Sequence, residues 1–150
     1  MRKFEEVKKD CLKFPLIETQ KPIRADKGSA GYDFFSKEDY VLKNGESHVF
    51  WTDICVVLPE DNVLLIDTRS GNGVKKGIVL KNTIGVIDCS YINATNGGNI
   101  GICLQNNGEE DFIINVGDRI AQGIITNCFF VEDDNVLNNE RNGGFGHSGK

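Results

Sequence analysis

The run Ile78-Val79-Leu80-Lys81-Asn82-Thr83-Ile84-Gly85-Val86-Ile87-Asp88-Cys89-Ser90-Tyr91 places two short β-branched segments on either side of a polar break. That pattern predicts a hairpin, with residues 78–80 as one arm and 84–87 as the other. Just past the second arm, where scaffold gives way to loop, stand one carboxylate, Asp88, and one aromatic ring, Tyr91. Taken alone, such an aspartate closes an Asx turn and such a tyrosine packs. A chemical role needs support from elsewhere in the chain.

Outward from this run the same short β-rich segments recur. Residues 41–42, 49–51, 54–58 and 63–66 are separated by turn signals, among them Asn44-Gly45 and residues 59–62. Ile100, Ile102 and Leu104 alternate with Gly101 and Cys103, as Phe112, Ile114 and Val116 alternate with their neighbours, which is the period of half-buried strands. Residues 12–17 read as a first strand, with Pro15 at an edge or bulge. Phe129-Phe130-Val131 is expected to close the core. No long helical period occurs; a turn around residues 70–74 is the exception. The fold class is therefore all-β, a barrel or sandwich.

Composition sets the outer limits. With 150 residues, 39 % of them hydrophobic, one domain can bury a real core. Residues 1–10 form a charged extension, able to make a helical turn or stay loose, and residues 11–134 the barrel domain. Residues 135–150 are a linker and a glycine-rich, flexible C-terminal arm. No apolar run approaches the ~18 residues of a membrane span and the N-terminus has no signal core, so a cytoplasmic, soluble protein with no membrane partner is expected. Five cysteines, an odd number without a Cys-x-x-Cys, suggest neither a zinc site nor a disulfide framework. A net charge of -5 speaks against gripping a nucleic acid backbone, which needs clustered Lys and Arg. It leaves room for a compact polyanion held by a few arginines, backbone amides and a divalent cation.

Several stretches carry chemistry of that kind. Thr68-Arg69-Ser70-Gly71 joins a guanidinium, a hydroxyl and a turn that glycine permits, the parts of an anion-binding nest. Arg119 with Gln122, and Arg141 with Ser148, add donors, although Arg119 alone also fits an ordinary ion pair. Gly28-Ser29-Ala30-Gly31-Tyr32-Asp33 combines small residues with an acid that, read alone, is a structural hydrogen-bond acceptor. The tail Arg141-Asn142-Gly143-Gly144-Phe145-Gly146-His147-Ser148-Gly149-Lys150 is built like an arm that wraps a phosphate and offers Phe145 as a stacking face.

Order and spacing unite them. Ala30-Gly31-Tyr32-Asp33, Arg69-Ser70-Gly71, Gly85-Val86-Ile87-Asp88-Cys89-Ser90-Tyr91, Gly117-Asp118-Arg119-Ile120-Ala121-Gln122 and the arm resemble the five ordered motifs of the trimeric deoxyuridine triphosphatase (dUTPase) family, the closing motif being most similar to bacterial members. The resemblance implies a distorted, jelly-roll-like β-barrel that assembles as a homotrimer with shared active sites. It implies Mg2+-dependent hydrolysis of dUTP to dUMP and pyrophosphate, which limits uracil incorporation into DNA and supplies dUMP for dTMP synthesis.

By the same resemblance Asp88 is the general base for water attacking the α-phosphorus, and Arg69 is catalytic beside it. Ser70, Gly71, Gln122, Arg141 and Ser148 bind phosphates. Asn82 meets the uracil edge, Tyr91 packs under the deoxyribose, Phe145 stacks on the base, and Asp33 reaches Mg2+ through water. Three departures stand out. Thr68 replaces the usual Pro, which is expected to loosen a turn; Ser90 replaces a second acid; and residues 92–98 form an insertion where members commonly have Arg-Gly. The alternatives are a dCTP deaminase of the same fold, which attacks the base and needs a different acid, and a nucleotide-binding regulator that has lost its chemistry.

Overall fold

In the computed structural model, residues 1–136 and Gly143 are described. Twelve strands, one short α-helix and two 3-10 turns are found among them. In chain order the strands and the helix are β1 (Lys3–Glu6), β2 (Ile23–Arg24), β3 (Tyr32–Phe35), β4 (Tyr40–Leu42), β5 (Ser47–Trp51), β6 (Ile54–Val57) and β7 (Asn62–Thr68). Then follow α1 (Ser70–Lys76), β8 (Ile78–Leu80), β9 (Gly85–Asp88), β10 (Gly101–Asn106), β11 (Phe112–Ile114) and β12 (Arg119–Asn127). The all-β expectation holds, and the helical turn expected at residues 70–74 is α1.

Why these segments are strands is visible in their alternation. Along β7, Asn62, Leu64 and Ile66 point inward while Val63 and Leu65 are half-buried, and along β10 Ile102, Leu104 and Asn106 are the inward set. The inward rows meet Phe34, Leu42, Phe50, Ile54, Ile78, Ile100, Ile114 and Ile120 in one core, each at most 2 % exposed. Four antiparallel sheets surround it, the largest running β2-β3-β12-β7-β9 and the next β5-β10-β8.

Four local expectations are corrected. The arms at β8 and β9 do not pair with each other: β8 joins β10, and β9 joins β7 with Gly85 opposite Ile66 and Asp88 opposite Val63. Alternation alone cannot choose a partner, and here each arm finds a longer neighbour in a different sheet. Residues 12–17 form no strand, because the Asp53 carboxylate accepts the Lys13 and Phe14 N–H groups at 2.8 and 3.0 Å and holds the segment as a loop. Lys3–Glu6, inside the charged extension, is instead a strand paired with β6. Phe129, Phe130 and Val131 do not close the core; they are 92, 66 and 69 % exposed.

Thr68 ties its turn rather than loosening it. Its hydroxyl donates to the Ile78 carbonyl at 2.8 Å, a bond that proline in its place could not make.

Candidate active site

Three strand ends bring the first group of site residues together. On β12, Gln122 lies opposite Asp33 of β3 on one side and opposite Asp67 of β7 on the other. A bulge between Arg119 and Ala121 re-aims the start of β12, as bulges beside functional sites do. Asp33, 6 % exposed, thereby receives two guanidiniums: Arg69 Nε at 3.1 Å on Oδ1 and Arg119 Nη1 at 3.2 Å on Oδ2. More than a third of each arginine side chain stays exposed, and each guanidinium has further N–H donors beyond the one on Asp33.

Gln122 donates to the Thr68 carbonyl at 3.2 Å. It lies close to the chain opposite: a Cβ at Gly31 would come within 2.9 Å of its Oε1. Ser70 and Gly71 open α1 directly after Arg69, and the space around Gly71 is open.

The second group lies at the far end of β9. Asp88 is its last residue, and the 3-10 turn Cys89–Asn93 follows at once. Tyr91 in that turn is 5 % exposed; its hydroxyl donates to the Asn99 carbonyl at 2.9 Å and accepts from Asn96 Nδ2 at 2.9 Å. The inserted stretch is thus folded against the ring. Burial first, then the charges of Glu60 and Asp88, pushes the Cys89 thiol pKa up. Asn82 sits at the exposed tip between β8 and β9, its amide donating to the Ile84 carbonyl at 3.2 Å. Beside it Thr83 has φ +65°, a conformation that β-branched residues rarely adopt and that tends to persist at binding sites.

One chain does not unite the two groups. Asp88 is level with Val63 and Arg69 follows Thr68, so six residue steps along extended β7 separate them, about 20 Å at the usual rise per residue. Arg141, Phe145 and Ser148 lie outside the described residues. Among the described residues no group of three or more His, Cys, Asp or Glu could hold a metal ion. Arg119 makes the ion pair that the sequence left open for it, with Asp33 as its partner. The sequence signals pointed to neither Asn96 inside the insertion nor Asn99 just after it, because single polar residues carry no pattern.

Comparison with known proteins matches the dUTPase family model over residues 18–149. A deoxyuridine 5'-triphosphate nucleotidohydrolase of Clostridium tetani is 37 % identical over 145 residues, 93 % of this chain and 97 % of the relative. That of Vaccinia virus (strain Copenhagen) is 39 % identical over 132 residues, 85 % of this chain and 84 % of the relative. The crystal structure of dUTPase from Streptococcus mutans superposes with a TM-score of 0.74 at 29 % identity, covering 86 % of this chain and 98 % of that one. A mutant dUTPase from phage phi11 of S. aureus, described with a structural Mg(II) ion, gives a TM-score of 0.71 at 28 % identity, covering 94 and 99 %. Motifs, barrel and matches agree over most of the chain's length: the chain belongs to the dUTPase family.

Proposed function

We propose that this chain hydrolyses dUTP to dUMP and pyrophosphate. The observation that carries the reading is Asp33 holding Arg69 and Arg119, each more than a third exposed, beside Gln122, Ser70 and Gly71. This is a preformed donor cluster of the kind that stabilises charge developing on a phosphoryl group. Asp88 takes a proton from water as its oxygen bonds the α-phosphorus, and the α–β bridging oxygen leaves with pyrophosphate. Asn82 pairs with the uracil edge, Tyr91 packs under the deoxyribose, and the arm closes with Phe145 on the base and Arg141 and Ser148 on the γ-phosphate. The relatives named above are nucleotidohydrolases, which disfavours the dCTP deaminase alternative.

A magnesium ion fits here only as a hydrated one. Both Asp33 oxygens are already bonded to guanidiniums, so Asp33 would reach the ion through its waters while the substrate phosphates supply the direct ligands. When bound, the ion would neutralise phosphate charge.

The ~20 Å along β7 between the two residue groups supports a homotrimer in which one subunit's Arg69 cluster faces another's Asp88 and Tyr91. Phe129, Phe130 and Val131, with Val86 at 53 % exposure, offer apolar surface for such contacts. Among the described residues no helix is long and apolar enough to cross a membrane. Work on the nucleotide pool would place the enzyme in the cytoplasm.

The test is pyrophosphate release from dUTP with Mg2+, with dTTP and UTP as poor substrates; no turnover of dUTP overturns the proposal. Asp88→Asn is expected to keep nucleotide binding and lose ~10² to 10⁴ in kcat. Light scattering that shows an active monomer removes the trimer.

A further inference from the structure

The insertion that follows Tyr91 is folded around one side chain. Asn96 Oδ1 accepts the Gly98 N–H at 3.1 Å, while its Nδ2 donates to the Tyr91 hydroxyl at 2.9 Å and to the Asn99 carbonyl at 3.2 Å. Gly97 and Gly98, at φ +67° and +73°, let the loop turn this tightly. A Cβ at Gly98 would stand 2.7 Å from the Ile92 Cα, and one at Gly97 would stand 2.9 Å from Cys11 Sγ.

The anchor behind Asn96 is rigid. Asn99 is fully buried; its Oδ1 accepts the Asp53 N–H at 3.0 Å and its Nδ2 donates to Asp53 Oδ1 at 2.9 Å and to the Cys11 carbonyl at 3.2 Å. Asp53 in turn is paired with Lys37 at 3.0 Å, both groups buried. No buried side-chain nitrogen or oxygen among the described residues lacks a partner, so the chain from Lys37 to Tyr91 is fully satisfied.

We infer that Asn96 is a positioning residue for sugar selection: it fixes the tip of the Tyr91 ring against the buried Lys37–Asp53–Asn99 network and so sets where the ring meets the ribose. The inference rests on the reading that Tyr91 packs under the deoxyribose. Core packing holds the body of the Tyr91 ring, and the two bonds at its hydroxyl fix the far end. Exclusion of a 2′-hydroxyl is a matter of close fit, and an apolar surface discriminates against one added hydroxyl by only about 10². Loosening the ring should therefore admit UTP before it impairs the chemistry at Asp88.

The experiment measures kcat and KM for dUTP and for UTP, with thermal midpoints, in wild type, Asn96→Ala, Tyr91→Phe, the double variant and Asn93→Ala. Asn93 is exposed on the same loop and serves as the control. Expected is a roughly tenfold narrowing of the dUTP/UTP ratio of kcat/KM in Asn96→Ala, mainly through the KM values. A similar narrowing is expected in Tyr91→Phe, which keeps the ring and loses both bonds, and no further change in the double variant. Asn93→Ala should keep the wild-type ratio. If Asn96→Ala lowers the midpoint but leaves the ratio as in wild type, Asn96 merely folds the loop and the inference is overturned. Should that variant fail to fold, an unchanged ratio in Tyr91→Phe overturns it equally. A wild-type protein that does not turn over dUTP instead refutes the functional reading beneath it.

Discussion

Two polar clusters in this molecule are built from similar groups and differ in what surrounds them. At the rim, Asp33 holds Arg69 and Arg119, whose side chains remain 36 and 43 % exposed. Inside, Asp53 holds Lys37 with 0 and 4 % exposure, and its remaining acceptor capacity is filled by the Lys13 and Phe14 N–H groups and the Asn99 amide. The rim cluster has hydrogen-bonding capacity turned to solvent; the inner one is closed on itself. The first is suited to receive an anion, the second to hold backbone in place, although a sequence shows only Asp, Lys and Arg in both.

Each cluster can be opened by a single substitution. Asp53→Ala leaves Lys37 buried without its counter-charge, for an expected loss of about 3–5 kcal/mol of folding stability in urea titrations. A loss below about 1 kcal/mol would show that water or another group relieves Lys37 and that the inner cluster is not closed. Arg69→Ala should reverse the pattern. With one preorganised donor gone, kcat/KM for dUTP should fall by ~10² to 10³, while the thermal midpoint barely moves, because Asp33 keeps Arg119 as its counter-charge and a partly exposed ion pair adds little to stability. An Arg69→Ala protein that unfolds as readily as Asp53→Ala would make the rim cluster structural too.

Acid titration separates the clusters more finely. Burial pushes the Asp53 pKa up, but the bonds from the Lys13 N–H, Lys37, Asn99 and the Phe14 N–H outweigh it, and the carboxyl lies below its usual range. A carboxyl depressed in the folded state adds stability above its unfolded pKa of about 3.9, and that stability is lost as pH falls through the folded value. Below about pH 4, wild type should therefore lose stability more steeply than Asp53→Asn; parallel curves would remove Asp53 as the acid-sensitive group. The smallest effect is expected at the seam of the site. Thr68→Val deletes the hydroxyl bonded to the Ile78 carbonyl and should cost about 1 kcal/mol, read by thermal unfolding. A larger drop in dUTP turnover than in stability would show that this tie also aims Arg69.

The sequence alone settled the alternation of Leu64 with Ile66 and of Ile102 with Leu104, because side chains on a pleated strand must alternate between core and surface. It also settled the order of the motif residues, which carried the family and its activity ahead of any coordinates. Tertiary structure decided the rest. It chose β10 and β7, rather than each other, as partners of the two arms around Asn82, since pairing depends on which sheet edge is within reach. It turned the charged residues Lys3–Glu6 into a strand and set Phe129, Phe130 and Val131 outside. It bent β12 so that Arg119 reaches Asp33. Above all it folded an unpatterned insertion so that Asn96 meets the Tyr91 hydroxyl. A hydrogen bond is specified by where two chain segments meet in space, and residue order alone does not fix that meeting.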